Sequence, residues 1–319
     1  MHYKVAMIMD PISQINTKKD TSFALLLEIQ RRQHDIYYLE YQDFYFLEDK
    51  VYCRAKRLSV EDNHVDWYQL EKEKTVTIDF FDVIFMRKDP PVNASFIYTT
   101  FFLDHAMKNN VLVVNTPFQL RNYNEKFSIS FFPELSAKTL ITCNYHDIEV
   151  FFYRYKDIII KPLDGMGGAS IFRIKEDKLN LPVIFETVSH HGSEFIMVQE
   201  YLPEIKHGDK RLFLIDGEVY PYCLARLPQS GETRGNLAAG GQGIAQIVNK
   251  EDHNIAQIVA TKMKQEGILF IGLDMIGNKI TEINLTSPTC IRQVEETFNV
   301  NICELIIDAV EKKYQKMII

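Results

Sequence analysis

The amino-acid sequence predicts a mixed α/β (α+β) chain, with a parallel, Rossmann-like sheet at its N-terminal end and a strand-and-loop region after it. Three observations predict this. Strand-like apolar runs alternate with helical stripes through the first third, the β-α-β order that parallel sheets require. From Asn124 onward the texture changes to strands and loops. Glycine is placed unevenly: of 14 in 319 residues none precedes Gly165, three fall in 165–168 and five in 231–243. Ordinary usage of about 7% would put roughly 11 glycines in that first half, so backbone freedom is concentrated in two segments.

Taken in order, residues 3–9 read as a strand and 21–33 as a helix with the apolar stripe Phe23, Leu26 and Leu27, capped by Asp20 or Thr21. Residues 35–46 return as a strand region, 82–86 as a buried-type strand, 95–108 as a helix and 111–115 as another strand. Parallel sheets bind ligands beyond the carboxyl ends of their strands, which is where 10–17 and 87–91 fall. Arg87 in the second segment suits either a ligand contact or a surface ion pair. Further on, strands at 157–161 and 169–174 flank the first glycine cluster, 195–200 is a strand, and 211–226 is a hairpin turning at Asp216-Gly217. A helix over 251–266 stops at Gly267, and a last helix spans 302–314 with Asn301 and Glu304 suited to its first turn.

Composition excludes several classes of function. With 46% hydrophobic and 25% charged residues the chain is globular rather than disordered. A net charge of −7 argues against a general nucleic-acid binder, which would need a basic surface. No run approaches the roughly 18 apolar residues of a membrane span. Met1 leads directly into a strand without the layout of a signal peptide, so the expectation is a cytoplasmic protein. Five scattered cysteines without a CxxC pair indicate neither a disulfide framework nor a zinc site.

Three constellations carry chemistry. In Lys161-Pro162-Leu163-Asp164-Gly165-Met166-Gly167-Gly168 the glycines lie between apolar strands. Such a turn is either a plain flexible hairpin or a flap whose backbone N–H groups close over phosphates, with Lys161 adding a point charge. The second is the hairpin 273–284. A three-residue turn centred on Asn278 sets Asp274 opposite Glu282, and period two puts Asn284 on the face of Glu282. Two carboxylates side by side are unfavourable without a cation between them, and oxygen-only donors select a hard ion, Mg2+ or Mn2+. The alternative is an exposed acidic face. The third is the loop 228–243, either a lid with Arg234 as a mobile cation or a merely tolerated surface loop. Glycine loops, a lysine and a carboxylate hairpin together suit a nucleotide site for phosphoryl transfer. The segment 284–292 directly follows the hairpin, so its hydroxyls and Arg292 are expected to line the same cavity.

At these motifs the chain resembles the ATP-grasp superfamily, and within it the bacterial-type glutathione synthetases. The resemblance is carried by 161–173 (KPLDGMGGASIFR), 208–211 (GDKR), 222–226 (YCLAR), 231–241 (GETRGNLAAGG) and 281–292 (TEINLTSPTCIR), with 9–12 (MDPI) and 86–91 (MRKDPP) at the N-terminal end. It implies a Rossmann-like domain (1–123), a central ATP-grasp lid domain (124–200) and a C-terminal ATP-grasp catalytic domain (201–319). It also implies ATP-dependent joining of γ-glutamylcysteine to glycine through an acyl phosphate, with Mg2+ or Mn2+, in a homotetramer. By the same resemblance Lys126, Lys161, Gly165, Gly167, Gly168 and Asp209 contact ATP, and Gln199, Glu200, Tyr201 and Leu202 face its adenine. Asp274, Glu282 and Asn284 hold the metal. Arg211 and Arg226 stabilise the transferring phosphate, joined by Arg234 from the lid, and Arg87, Asn236 and Ser287 bind the substrate. Gln242 stands where the family usually has a basic residue.

Overall fold

The computed structural model describes residues 1–318 as three sheets. The first has eight strands: β1 (Lys4–Ile8), β2 (Asp35–Leu39), β3 (Phe44–Leu47), β4 (Lys50–Val60), β5 (Tyr68–Leu70), β6 (Lys74–Thr77), β7 (Val83–Met86) and β8 (Leu112–Val114). Its core order β2-β1-β7-β8 is parallel throughout, as the β-α-β alternation predicts. Helix α1 (Thr21–Arg31) begins at Asp20, whose carboxylate accepts the Phe23 N–H at 2.7 Å, and packs on one face of the sheet, with α2 (Ala94–Lys108) and α3 (Pro117–Asn122) on the other. The long antiparallel β4 is absent from the sequence reading. Its alternating burial (Val51, Cys53, Ala55, Leu58 and Val60 inside) is the period-two signal that could have found it.

The second sheet joins β9 (Thr139–Thr142), β10 (Ile158–Pro162), β11 (Phe172–Ile174) and β12 (Ile196–Glu200), all antiparallel. The region after Asn124 also holds more helix than the strand-and-loop reading expects. Helices α4 (Tyr145–Tyr155) and α5 (Leu181–Val188) pack Ile148, Phe152, Leu181 and Val188 onto Ile158, Ile160 and Val198, a small core of its own. The third sheet is antiparallel, in the order β15 (Gln242–Ile247), β14 (Glu218–Leu227), β13 (Asp209–Ile215), β16 (Phe270–Ile276), β17 (Lys279–Asn284). It carries α6 (Lys250–Gln265), which ends before Gly267 at φ +80°. Helices α7 (Ile291–Phe298) and α8 (Ile302–Ile318) close the chain, and Asn301 accepts the Glu304 N–H at 2.9 Å as a cap.

These last helices return to the first sheet. Phe23, Leu25 and Phe85 share a core with Phe213, Ile302 and Ile306. Asn115, at the end of β8, ties the first and third sheets: its Nδ2 donates to the carbonyls of Phe270 (2.7 Å) and Leu285 (2.8 Å), and its Oδ1 accepts the N–H groups of Leu269 and Phe270. Asn115→Leu strands four buried backbone groups. At about 1 kcal/mol or more each, the variant is expected to lose about 3–5 kcal/mol in urea unfolding; a loss below about 1 kcal/mol would remove this tie from the account.

Candidate active site

The three sheets enclose a cavity of about 530 Å³. Asp10, Gln14, Asp89 and Pro90 reach it from the carboxyl ends of β1 and β7, the place expected of a parallel sheet. Arg87 does not line it. The Arg87 guanidinium is buried, donates from Nε to Ser22 and from Nη2 to the Pro288 carbonyl (2.9 Å), and leaves Nη1 without a partner among the described residues. It is therefore neither a surface ion pair nor a wall residue, but a support for the segment that carries Ser287. Arg292 likewise lies outside, paired with Asp62 at 3.0 Å over the Phe23 ring.

At the hairpin the register differs in detail from expectation and agrees in result. The turn has two residues, Gly277 and Asn278, with Ile276 opposite Lys279 and Met275 opposite Ile280. A bulge at Thr281 then absorbs one residue, so Asp274 does face Glu282 and Gly272 faces Asn284. Each carboxylate is met by protein cations of its own. Asp274, 2% exposed, is gripped by the Arg211 Nε and Nη2 and by the Arg226 Nη2 at 2.8 Å, and it also accepts from Asn284 Nδ2. Burial works to raise the Asp274 pKa, but Arg211 and Arg226 outweigh it and hold the carboxyl well below the usual range. Arg226 also pairs with Asp209, whose pKa burial raises and whose Oδ1 has no partner among the described residues. Glu282 pairs with Lys126 Nζ at 3.0 Å, and the same Nζ donates to the Gly165 carbonyl at 2.8 Å, tying the flap to the hairpin.

Lys161 is the odd cation. At 7% exposure in the cavity wall, its ammonium has no hydrogen-bonded carboxylate or carbonyl partner among the described residues, and burial lowers its pKa to about 8. A buried charge without a counter-ion is costly, which marks this as a place made for an anion. The two glycine clusters close over it together. Gly167 and Gly168 have φ of +67° and +82°, and a Cβ at Gly168 would lie 2.7 Å from Asn236 Oδ1. Arg234, rather than standing free, pairs with Glu232 at 2.6 Å and donates to the Gly168 carbonyl at 3.1 Å. Gln199, Glu200, Tyr201 and Leu202 also line the cavity. The Glu200 and Tyr201 N–H groups are spent on Lys138 and Asp157, which leaves the Leu202 N–H as a donor without a protein acceptor among the described residues.

Sequence reasoning missed Glu125. Its Oε1 accepts from the Leu285 N–H, the Thr286 N–H and the Thr286 hydroxyl, so it holds the 284–287 segment in place in the cavity wall. No local pattern reveals a partner about 160 residues away. Lys19, Asp20, Cys290 and Gln293 also face the cavity; of these the sequence reading had Asp20 as a cap and Cys290 within the 284–292 segment, but neither Lys19 nor Gln293.

The prokaryotic glutathione synthetase N-terminal domain matches residues 3–121, and the ATP-grasp domain of the same family matches 125–299. The chain belongs to the prokaryotic glutathione synthetase family. It is 49% identical over 313 residues to the glutathione synthetase of Escherichia coli O127:H6, covering 98% of this chain and 99% of that one. The Photorhabdus laumondii glutathione synthetase is 48% identical over 314 residues, with the same shares covered. Among solved structures, the D-cycloserine synthetase DcsG superposes with a TM-score of 0.68 at 14% identity, over 98% of this chain and 99% of that one. The ATP-grasp ligase PsnB, complexed with a precursor peptide and AMPPNP, gives 0.61 at 16%, over 98% of each chain. Identities this low establish the shared ATP-grasp fold. Membership makes the chain an ATP-grasp ligase with ATP as a substrate.

The hard cation expected at the hairpin can be tested against the donors. No cluster of three or more His, Cys, Asp or Glu side chains is gathered among the described residues. Glu282 commits only Oε1 to Lys126 and Asn284 only its Nδ2, so each keeps an oxygen, while both Asp274 oxygens are taken by arginines. This set fits an ion that takes most of its ligands from phosphate and water.

Proposed function

We propose that the enzyme joins γ-glutamylcysteine to glycine at the expense of ATP, forming glutathione, ADP and phosphate. The observation that carries this reading is the unpaired, buried Lys161 in a cavity wall closed by two glycine segments and backed by a buried Arg211–Asp274–Arg226 network. Adenine lies against 199–202, with the Leu202 N–H as its hydrogen-bond donor. Lys161 binds the phosphates, Gly165–Gly168 and the 228–243 lid exclude water, and Lys126 holds the flap down. The dipeptide carboxylate attacks the γ-phosphorus, and Arg211 and Arg226 neutralise charge spread over the transferring oxygens. The glycine amine then attacks the acyl carbon, and the same guanidiniums face the tetrahedral oxyanion before phosphate leaves. Arg234 and Asn236 belong to the lid over this step. Ser287 contacts the peptide, with Arg87 behind it. Mg2+ or Mn2+ would sit on Glu282 and Asn284 and supply further neutralisation of phosphate charge; Asp274 acts chiefly through the arginines it fixes.

The boundaries 1–123, 124–200 and 201–319 remain our division of the chain, the middle part having the separate core. Five free cysteines fit a reducing, cytoplasmic setting, and no helix among the described residues is long and apolar enough to cross a membrane. A homotetramer is part of the same reading and is checked by light-scattering mass.

Phosphate release from ATP is expected to require γ-glutamylcysteine and, for sustained turnover, glycine. Release without either, or with D-alanine in their place, would refute the reading. Glu282→Ala is expected to lower turnover at least about 100-fold while the circular-dichroism melt stays cooperative. Near-normal activity in this variant would remove Glu282 from the metal site.

A further inference from the structure

Arg173, on β11, lies behind the nucleotide edge of the cavity without lining it. Its Nε and Nη2 donate to the two carboxylate oxygens of Asp157 at 2.8 and 2.6 Å, a two-pronged contact that fixes the guanidinium plane. That plane stacks on Tyr201, with Cζ 3.2 Å from the ring centroid. The carbonyl of Asp157 accepts the Tyr201 N–H at 2.9 Å. One aspartate thus holds the Tyr201 backbone directly and its ring through Arg173. The three residues belong to three adjacent strands: Asp157 precedes β10, Tyr201 follows β12, and Arg173, in the middle of β11, pairs with Ile159 across the sheet. Tyr201 itself faces the cavity.

We infer that Arg173 is a positioning residue for the nucleotide: clamped by Asp157, it backs the Tyr201 ring and fixes the 199–202 segment at the adenine end of the cavity. The inference rests on the reading of that segment as adenine-facing. Nothing in the arrangement brings Arg173 to the reacting phosphate or to either amino-acid substrate, so its effect falls on nucleotide affinity rather than on the chemical step. Lysine cannot replace it, because an ammonium has neither the planar face nor the fork.

The test is steady-state kinetics with each substrate varied, together with ATP binding measured by calorimetry on the intact enzyme. Arg173→Ala is expected to raise KM and Kd for ATP about tenfold, leaving kcat and the KM values for γ-glutamylcysteine and glycine within about twofold. Asp157→Asn, which keeps the packing, should move ATP binding in the same direction and serves if the alanine variant does not fold. Arg173→Lys should recover only part of the loss, and Arg173→Ala placed on Tyr201→Leu should add little. An unchanged ATP KM, full rescue by lysine, or parallel changes in all three KM values and kcat would overturn the inference. Lys161→Met, run alongside, separates the two levels. If it weakens ATP binding while Arg173→Ala does not, only the inference falls; if neither variant weakens binding, the nucleotide reading of the cavity falls with it.

Discussion

Asp274→Ala is expected to be the most damaging single substitution in the site, costing about 3–5 kcal/mol of folding stability and reducing turnover to background. Two guanidiniums, 5% and 3% exposed, converge on this carboxylate. Removing one partner of a buried ionic network leaves uncompensated charge, and that loss, not the net worth of the pair, sets the magnitude. Asp209 could neutralise Arg226 alone, so Arg211 would be left facing it without a counter-ion. Asp274→Asn preserves shape and separates the two effects. It retains the fold at reduced stability but lets the arginines turn, so kcat should still fall at least about 100-fold. The measurements are urea unfolding and coupled phosphate release. Alanine at 274 with stability within about 1 kcal/mol of the parent would show that the network is not structurally required.

The second large effect has opposite signs in stability and function. Lys161→Met is expected to stabilise the nucleotide-free protein by up to about 3 kcal/mol at pH 7, because it removes a buried ammonium whose pKa burial lowers to about 8 from 10.5. Below pH 8 this lysine is charged in both folded and unfolded chains, and the burial penalty is present in full. Between pH 8 and 10.5 the folded chain releases the proton first, so the parent gains stability as pH rises through that window while the methionine variant does not. Bound phosphate reverses the preference by supplying the missing anion. ATP binding by the parent should therefore take up a proton above pH 8 and weaken as pH rises further. The variant should lose about 100- to 1000-fold in kcat/KM and show no such pH slope. Urea titrations across pH and calorimetry in buffers of different ionisation heat measure both arms. A variant that is less stable than the parent at pH 7 would refute the burial argument.

Much of the fold was legible because its signals are local. The cap at Asp20, the stop at Gly267 and the strand alternation around Asp216-Gly217 each depend on a few neighbouring residues, and each appears where expected. The opposition of Asp274 and Glu282 was reached through an incorrect turn. A two-residue turn plus a bulge at Thr281 reproduces the register that a three-residue turn would have set. Helices α3, α4, α5 and α7 are absent from the sequence reading, although α4 and α5 each turn an apolar face onto the second sheet.

The sequence by itself determined the Rossmann-like order of the first sheet, the flap and lid segments, the hairpin carboxylates and the family resemblance, all of which reside in short contiguous patterns. Only the tertiary structure decided what each charge meets. Asp274 finds arginines from two other strands, Arg234 finds Glu232 and the flap, and Arg87 is buried behind the Pro288 segment; Lys161 alone among these finds no partner. The physical reason is reach. Side-chain period and turn chemistry act over a few residues, whereas the worth of a buried charge depends on what lies within a few ångströms in space. Apart from Glu232, two residues from Arg234, those neighbours come from distant parts of the chain: Arg211 and Asp274 are 63 residues apart, Gly168 and Arg234 66, and Arg87 and Pro288 201.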